Sequence, residues 1–153
     1  MSTNNDFLNL NHARSEEQRN LMKKIIKDGV CPFCPENLTK YHPKGIIHEN
    51  EHWFLTENMT PYEGSKFHFL AIYKNHAIFP SEVPREHTAK LFELLNWTID
   101  KYKIPGGAIL MRFGETDYTG ASVTHLHAHL IVGESRKNSD ESLKVKVGYK
   151  TKK

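Results

Sequence analysis

The sequence predicts an α+β fold built around a largely antiparallel sheet. Segments with strand patterns outnumber segments with helical patterns, and most of the strands lie close enough along the chain to form hairpins. In addition, the dense apolar run of residues 67–73 has the length of a strand and few side chains that tolerate water. We expect this run near the centre of the sheet.

Two segments have the spacing of apolar residues that is typical of amphipathic helices. The first spans residues 15–28, with Gly29 as a suitable stop, and the second spans residues 84–102, with Pro84 near its first turn and residues 105–107 ending it. The apolar positions are Leu21, Met22, Ile25 and Ile26 in the first helix, and Leu91, Leu94, Leu95 and Ile99 in the second. These are the two main helices of the predicted fold.

Five further segments have strand patterns. They are residues 46–48, 53–56, 108–113, 124–132 and 143–149. The first two flank the turn 49–51 and predict a hairpin. In the last, apolar residues alternate with lysines and a glycine, which predicts a half-buried C-terminal edge strand. With the central run, the sheet therefore has five to six strands.

Length and composition are those of a single globular domain, residues 1–153. Apolar residues make up 38% and charged residues 25%, and no apolar run approaches the roughly 20 residues of a membrane span. The polar N-terminus lacks the features of a signal peptide, so we expect a soluble, cytoplasmic protein without a membrane partner. The net charge of +3 arises mainly from lysines of the last ten residues. We interpret them as solvated surface suited to small phosphorylated ligands, and we expect no polynucleotide partner.

Three histidines alternate with apolar residues in the segment 124–132. His125, His127 and His129 share one face of a strand at spacings of roughly 6.5–7 Å, while the residues between them face the core. An imidazole becomes a nucleophile toward phosphorus when an acceptor holds one ring nitrogen protonated and the other is free. Just upstream, residues 120–123 offer small side chains, backbone amides and one hydroxyl to phosphate oxygens. The alternative is a row of ordinary surface histidines.

Two stretches carry a resemblance to a known family. GASVTHLHAHLIVG resembles the signature of the histidine-triad (HIT) family, and FHFLAIYKNH is similar to that family's central strand and its Pro-Lys-x-His ending, with Tyr73 where proline is usual. The resemblance covers about residues 30–135 and points to the zinc-binding branch, with Hint-like and diadenosine polyphosphate hydrolase-like proteins. It implies a HIT-like fold and a homodimer with the long helix and a strand at the interface.

The resemblance also implies residue roles. His127 matches the nucleophile, which forms a nucleotidyl-histidine intermediate. His129 matches a phosphate contact, and Ser122 matches a residue that hydrogen-bonds the phosphate or helps to protonate the leaving group. Asn58 matches the position that binds the ribose hydroxyls, with Met59 beside the base. For Asn58 a simple turn residue is an equally good interpretation.

Two positions depart from the family pattern. Arg112 and Ala121 stand where asparagine and glutamine are usual, and both usual residues contact the phosphate or the leaving group. Arg112 either replaces such a contact with a forked, charged donor or is an exterior strand residue. The remaining histidines are assigned no function and are expected on the surface or in the core, although one of them lies on the central strand near the site: His12, His42, His48, His52, His68 and His87.

The only cysteines, Cys31 and Cys34, have metal-ligand spacing. Two thiolates fill half of a tetrahedral zinc site, so two histidines are the obvious further ligands. Resemblance to zinc-bearing branches of the superfamily, including the galactose-1-phosphate uridylyltransferases, implies His76 and His125. Such a closed site makes the zinc structural, and no catalytic metal is required. A redox dithiol is the alternative, but it expects the pair to open a helix, whereas here the pair follows one.

The resulting hypothesis is an enzyme that cleaves a nucleoside 5′-phosphoryl bond by covalent His127 chemistry. Its substrate class is a purine nucleoside phosphate or dinucleotide, such as a phosphoramidate, a dinucleoside polyphosphate or a nucleotide sugar. The alternatives are a nucleotide-binding regulatory module with little turnover, which the Arg112 and Ala121 departures favour, and a redox protein that uses the two cysteines.

Overall fold

The computed structural model describes residues 7–153, which form three α-helices and five β-strands. In chain order these are α1 (Glu16–Asp28), α2 (Pro35–Tyr41), β1 (His48–Glu49), β2 (Trp53–Glu57), β3 (Phe67–Tyr73), α3 (Arg85–Tyr102), β4 (Ala108–Met111) and β5 (His127–Val132). None of these helices is long and apolar enough to cross a membrane. The predicted domain and its polar N-terminus begin at residue 1, and residues 1–6 lie outside the described part.

The strands form one antiparallel sheet in the order β1-β2-β3-β5-β4. Strand β3 pairs with both β2 and β5, which confirms the predicted central position of the apolar run. Across the β3–β5 pair, Phe69 lies opposite Leu130 and Ala71 lies opposite Ala128. These four residues belong to the main hydrophobic core. The α+β fold with a largely antiparallel, five-stranded sheet is therefore confirmed.

Both predicted main helices are present. Helix α1 begins after Ser15, whose hydroxyl accepts a hydrogen bond from the Gln18 amide, and it ends at Gly29, which has a φ of 69° that favours glycine. Helix α3 buries Leu91, Leu94, Leu95 and Thr98. It ends at Tyr102, before the predicted Pro-Gly-Gly stop, because Lys103 adopts a left-handed conformation with a φ of 52°. Helix α2, with Pro35 in its first turn, was not predicted.

Several predicted strand boundaries are wrong by a few residues. The hairpin strand expected at 46–48 is His48–Glu49, the strand expected at 108–113 ends at Met111, and the strand expected at 124–132 begins only at His127. The last difference matters for the site. His125 precedes β5, and its ring turns toward the cysteines instead of sharing a strand face with His127 and His129.

The predicted C-terminal edge strand is wrong. Residues 143–149 have no strand assignment, and Val147 and Tyr149 are exposed where the alternation predicted half burial. Strand β4 already occupies the edge of the sheet next to β5. The carbonyl of Lys146 accepts a hydrogen bond from Arg112 instead of from a neighbouring strand. This segment therefore runs along the loops beside the sheet.

Candidate active site

One cavity brings together the predicted catalytic and nucleotide-binding residues. It lies beside β5, the loop that precedes β5, the turn after β2, and helix α1. The six predicted residues all line it, namely His127, His129, Ser122, Asn58, Met59 and Arg112. The charged side chains that line it are cationic, and the described residues contribute no carboxylate to its wall. The cavity is therefore suited to an anionic ligand.

His127 has the arrangement that a nucleophilic imidazole requires. Its Nδ1 lies 2.6 Å from the carbonyl oxygen of His125, so Nδ1–H donates and Nε2 keeps its lone pair. The edge of Phe33 packs against the ring at 5.0 Å between centroids. Burial, reinforced by the charge of Arg112, lowers the pKa of His127 to about 4. The imidazole is therefore neutral at neutral pH and able to attack.

A hydrogen-bonded relay orients His129. The Tyr62 amide donates to His68 Nδ1 at 3.1 Å, which leaves the proton of the neutral His68 ring on Nε2. His68 Nε2 lies 2.8 Å from His129 Nδ1, which holds the two rings in hydrogen-bond contact. Burial, with the charges of Arg14 and Arg112, lowers the pKa of His68 to about 4, and burial also lowers the pKa of His129 well below its ordinary value. His129 is therefore a neutral imidazole at neutral pH, held between His68 and Arg112.

Arg112 is a buried cation that has no carboxylate partner among the described residues. Its side chain is 9% exposed, and none of the ion pairs between described residues includes it. Nη2 donates to the Lys146 carbonyl at 2.5 Å, while the buried Nε has no partner among the described residues. Nη1 donates to His129 Nε2 at 3.3 Å. The guanidinium has further N–H groups to donate to a phosphate oxygen, and its burial excludes the exterior-strand interpretation of Arg112.

Asn58 holds a turn and also contacts the histidine relay. Its Oδ1 accepts a hydrogen bond from the Thr60 amide at 2.9 Å, as expected of a turn residue. Its Nδ2 lies 3.1 Å from His68 Nε2, at the wall of the cavity. Both interpretations of Asn58 therefore remain compatible with its position.

Four residues of the site were not assigned a role from the sequence. His12, Arg14 and Tyr62 line the cavity, and His68 contacts Tyr62 and His129 behind its wall. Arg14 lies 4.5 Å above the Tyr62 ring and donates to Thr60 Oγ1 at 2.8 Å. Burial lowers the pKa of Arg14. A signal existed only for His68, because a polar residue in the apolar β3 run lies on the strand that pairs with β5.

The predicted metal ligands also meet at one point. One ligand atom from each of Cys31, Cys34, His76 and His125 lies within 4.8 Å of all the others. His125 Nδ1 is 3.3 Å from Cys31 Sγ, 3.7 Å from Cys34 Sγ and 3.2 Å from His76 Nδ1, and Cys34 Sγ is 3.6 Å from His76 Nδ1. A tetrahedral zinc site has edges of about 3.3–3.8 Å for these bond lengths. The residues therefore fit zinc.

The histidine tautomer supports the same conclusion. His125 Nε2 donates to the Tyr73 carbonyl at 2.6 Å, which leaves the Nδ1 lone pair directed at the cysteines. Burial lowers the pKa of His125 to about 4, raises that of Cys31 and raises that of Cys34 to about 12. The protein alone thus provides no low-pKa thiolate of the kind a redox dithiol needs. Contrary to the sequence argument, Cys34 is the N-cap residue of a helix, α2. The argument against redox chemistry therefore depends on the raised thiol pKa values and on the two histidines beside the cysteines.

Comparison with known proteins places the fold. No protein-family model and no curated protein matches the chain. Among solved structures, a histidine triad nucleotide-binding protein from Candida albicans is similar with a TM-score of 0.57 and 19% identity, over 69% of this chain and 76% of that one. A zinc-bound histidine triad family protein from Mycobacterium smegmatis has a TM-score of 0.56 and 21% identity, over 78% of this chain and 83% of that one.

A third similar structure is the diadenosine triphosphate hydrolase of Plasmodium falciparum, with a TM-score of 0.51 and 16% identity over 60% of this chain and 62% of that one. These likenesses establish the fold. The chain has the histidine-triad fold that the resemblance implied.

Proposed function

We propose that this chain is a HIT-family hydrolase or nucleotidyltransferase that cleaves a nucleoside 5′-phosphoryl bond. The observation that carries the proposal is the free Nε2 of His127, held neutral and lining a cavity whose charged side chains are all cations. The names of the similar structures, which include a nucleotide-binding protein and a diadenosine triphosphate hydrolase, support the same class of substrate.

The proposed reaction has two steps. The Nε2 lone pair of His127 attacks the α-phosphorus and forms an N–P bond, while the bond to the leaving group breaks and its electron pair stays on the leaving atom. A water oxygen then attacks the same phosphorus, and the N–P electron pair returns to Nε2. Water supplies the hydroxyl that remains on phosphorus and the proton that the leaving group gains. In a transferase another acceptor takes the place of water.

The neighbouring residues have distinct proposed roles. His129 and the Arg112 guanidinium lie 3.3 Å apart at the phosphoryl group, and the guanidinium stabilises the negative charge that develops on the phosphoryl oxygens. Ser122, at the rim before β5, hydrogen-bonds the phosphate or protonates the leaving group. Asn58 and Met59 bind the purine nucleoside, because both line the cavity at the end that the turn after β2 forms.

The cysteine and histidine cluster is proposed to hold a structural zinc ion. When bound, zinc joins the segment before α2 to the start of β5 through four ligands and leaves no open position for catalysis. The proposed ligand His125 also provides the backbone carbonyl that accepts the hydrogen bond from His127 Nδ1–H. Cys31, Cys34, His76 and His125 thereby fix the backbone on which the nucleophile depends.

A homodimer is proposed as the assembled state. Strand β4 is an edge of the sheet, and Ile109 on it is 47% exposed. Phe92 on α3 is 51% exposed. A second copy that pairs along β4 covers the edge and apolar surface of this kind.

The test is direct detection of the intermediate. Protein incubated with adenosine 5′-phosphoramidate or diadenosine triphosphate is denatured rapidly and analysed by mass spectrometry for an adenylyl adduct. We expect an adduct and turnover with the wild type, and neither with His127→Ala. His48→Ala is the matched control, since His48 stacks on Trp97 outside the cavity. Nucleotide binding without adduct or turnover would instead support the regulatory module that the Arg112 and Ala121 departures favour.

A further inference from the structure

The C-terminal segment 143–149, hereafter the C-terminal strap, is seated on the rim of the cavity. Its Lys146 carbonyl accepts the Arg112 Nη2–H at 2.5 Å, and the Tyr149 hydroxyl lies 2.7 Å from His12 Nε2. Gly148 packs so tightly that an added Cβ would lie 2.9 Å from the Tyr118 carbonyl oxygen. The contacts are specific on three sides, so the strap forms part of the wall of the site.

The side chain of Lys146 takes part in that wall. It lines the same cavity as the catalytic histidines. Its methylenes pack on Gly120, where an added Cβ would meet Lys146 Cδ at 2.9 Å, so the glycine makes room for this lysine. Gly120 lies two residues before Ser122. The strap therefore places the Lys146 side chain beside the Ser122 end of the cavity, with its ammonium group 5.4 Å from the centroid of the Tyr149 ring.

The charges of the cavity exceed what one phosphoryl group neutralises. Arg14, Arg112 and Lys146 line it, no described carboxylate does, and the ion pairs between described residues include none of these three. An α-phosphoryl group that bears a nucleoside and a leaving group carries a single negative charge. The buried Arg112, whose Nε is unpaired, already matches that charge. The other two cations remain available for charge elsewhere on the substrate.

We propose that Lys146 of the C-terminal strap is a specificity-determining residue that binds an anionic leaving group, so that the preferred substrates carry further phosphate beyond the α-phosphorus. The inference rests on the proposed function and concerns the same site. When the P–O bond breaks, its electron pair stays on the bridging oxygen of a phosphate leaving group, and nearby cations stabilise that charge. An amine leaving group must instead gain a proton, and it carries no negative charge for a nearby cation to stabilise.

The test compares two substrates that share an adenylyl group and differ in leaving group. Diadenosine triphosphate releases a diphosphate-bearing group, and adenosine 5′-phosphoramidate releases ammonia. Lys146→Met removes the charge and keeps the length of the side chain, and Lys150→Met is the matched control on an exposed position near the end of the chain. We expect Lys146→Met to lower kcat/KM for diadenosine triphosphate about fivefold, mainly through KM, as is typical of one exposed charge pair.

The phosphoramidate and the Lys150→Met control should both stay within about twofold of the wild type. Equal losses on both substrates, or no loss on either, overturn the inference while the proposed function stands. A wild type that turns over neither substrate contradicts the proposed enzyme, and equilibrium binding then decides the inference. In that case ATP must bind more tightly than AMP, and Lys146→Met must weaken the binding of ATP but not that of AMP. Equal binding of the two nucleotides overturns it.

Discussion

Replacing His68 with leucine tests whether the second ring of the relay positions His129. The substitution places an apolar side chain on β3 and removes the acceptor of the Tyr62 amide and the partner of His129 Nδ1, at 3.1 and 2.8 Å. Because the pKa of His68 is about 4, the ring is neutral at pH 7 and has one proton to donate. Without it, the buried His129 Nδ1 has no partner and the ring is no longer held in position.

The expected magnitude follows from the bonds that are lost. Leaving one buried polar partner unpaired costs about 1–3 kcal/mol. If the loss acts through His129 in the transition state, kcat falls roughly 10- to 100-fold, and KM changes little. Single-turnover rates with saturating substrate measure the effect, and thermal unfolding checks that the fold survives. His48→Leu is the control, since it removes a half-buried histidine outside the cavity. A retained kcat with a raised KM, or a loss equal to that of the control, refutes the relay.

Two further predictions concern the metal cluster and the response to acid. Metal analysis should find zinc at about one ion per chain. Cys31→Ser should release the zinc and lower Tm by about 10 °C. A disulfide between Cys31 and Cys34 in a zinc-free protein would contradict the proposed zinc site. Burial lowers the pKa of His42, so the unfolded chain binds a proton below pH 6.5 that the folded chain does not. The free energy of unfolding should thus decrease as the pH is lowered below 6.5. His42→Gln should reduce the slope of this decrease by up to about 1.4 kcal/mol per pH unit, measured by urea unfolding at several pH values. Equal slopes for the wild type and the variant exclude a contribution from His42.

The residues that sequence analysis identified are those whose function depends on short, regular spacing. His127 and His129 follow from alternation along one strand, because a period of two puts both on one face. The cysteine pair follows from its own spacing, but it defines only half of the zinc site. The histidines that complete the site lie 42 and 94 positions along the chain from the cysteines they approach, and only the family resemblance identified them.

The residues that sequence analysis missed depend on tertiary contacts. Arg14 reaches the cavity from the segment before α1, and its contacts with Thr60 and Tyr62 are set by packing of α1 beside the turn after β2. The alternation in residues 143–149 predicted a strand because local pattern cannot reveal that β4 already fills the edge. In place of a partner strand, the Lys146 carbonyl accepts a hydrogen bond from the buried guanidinium of Arg112. An edge-strand pattern and a strap thus have the same sequence signature.

Charge in this cavity is divided between two kinds of side chain. The imidazoles of His68, His127 and His129 are neutral, because burial and the nearby Arg112 lower the pKa of each one. The positive charge comes from the arginine and lysine side chains that line the cavity. A phosphate bound beside Arg112 offsets part of the charge that, together with burial, lowers the pKa of His129, so this pKa rises when an anion is bound. His129 therefore takes up a proton more readily beside an anion, whereas His127 is unprotonated and able to attack before the substrate arrives.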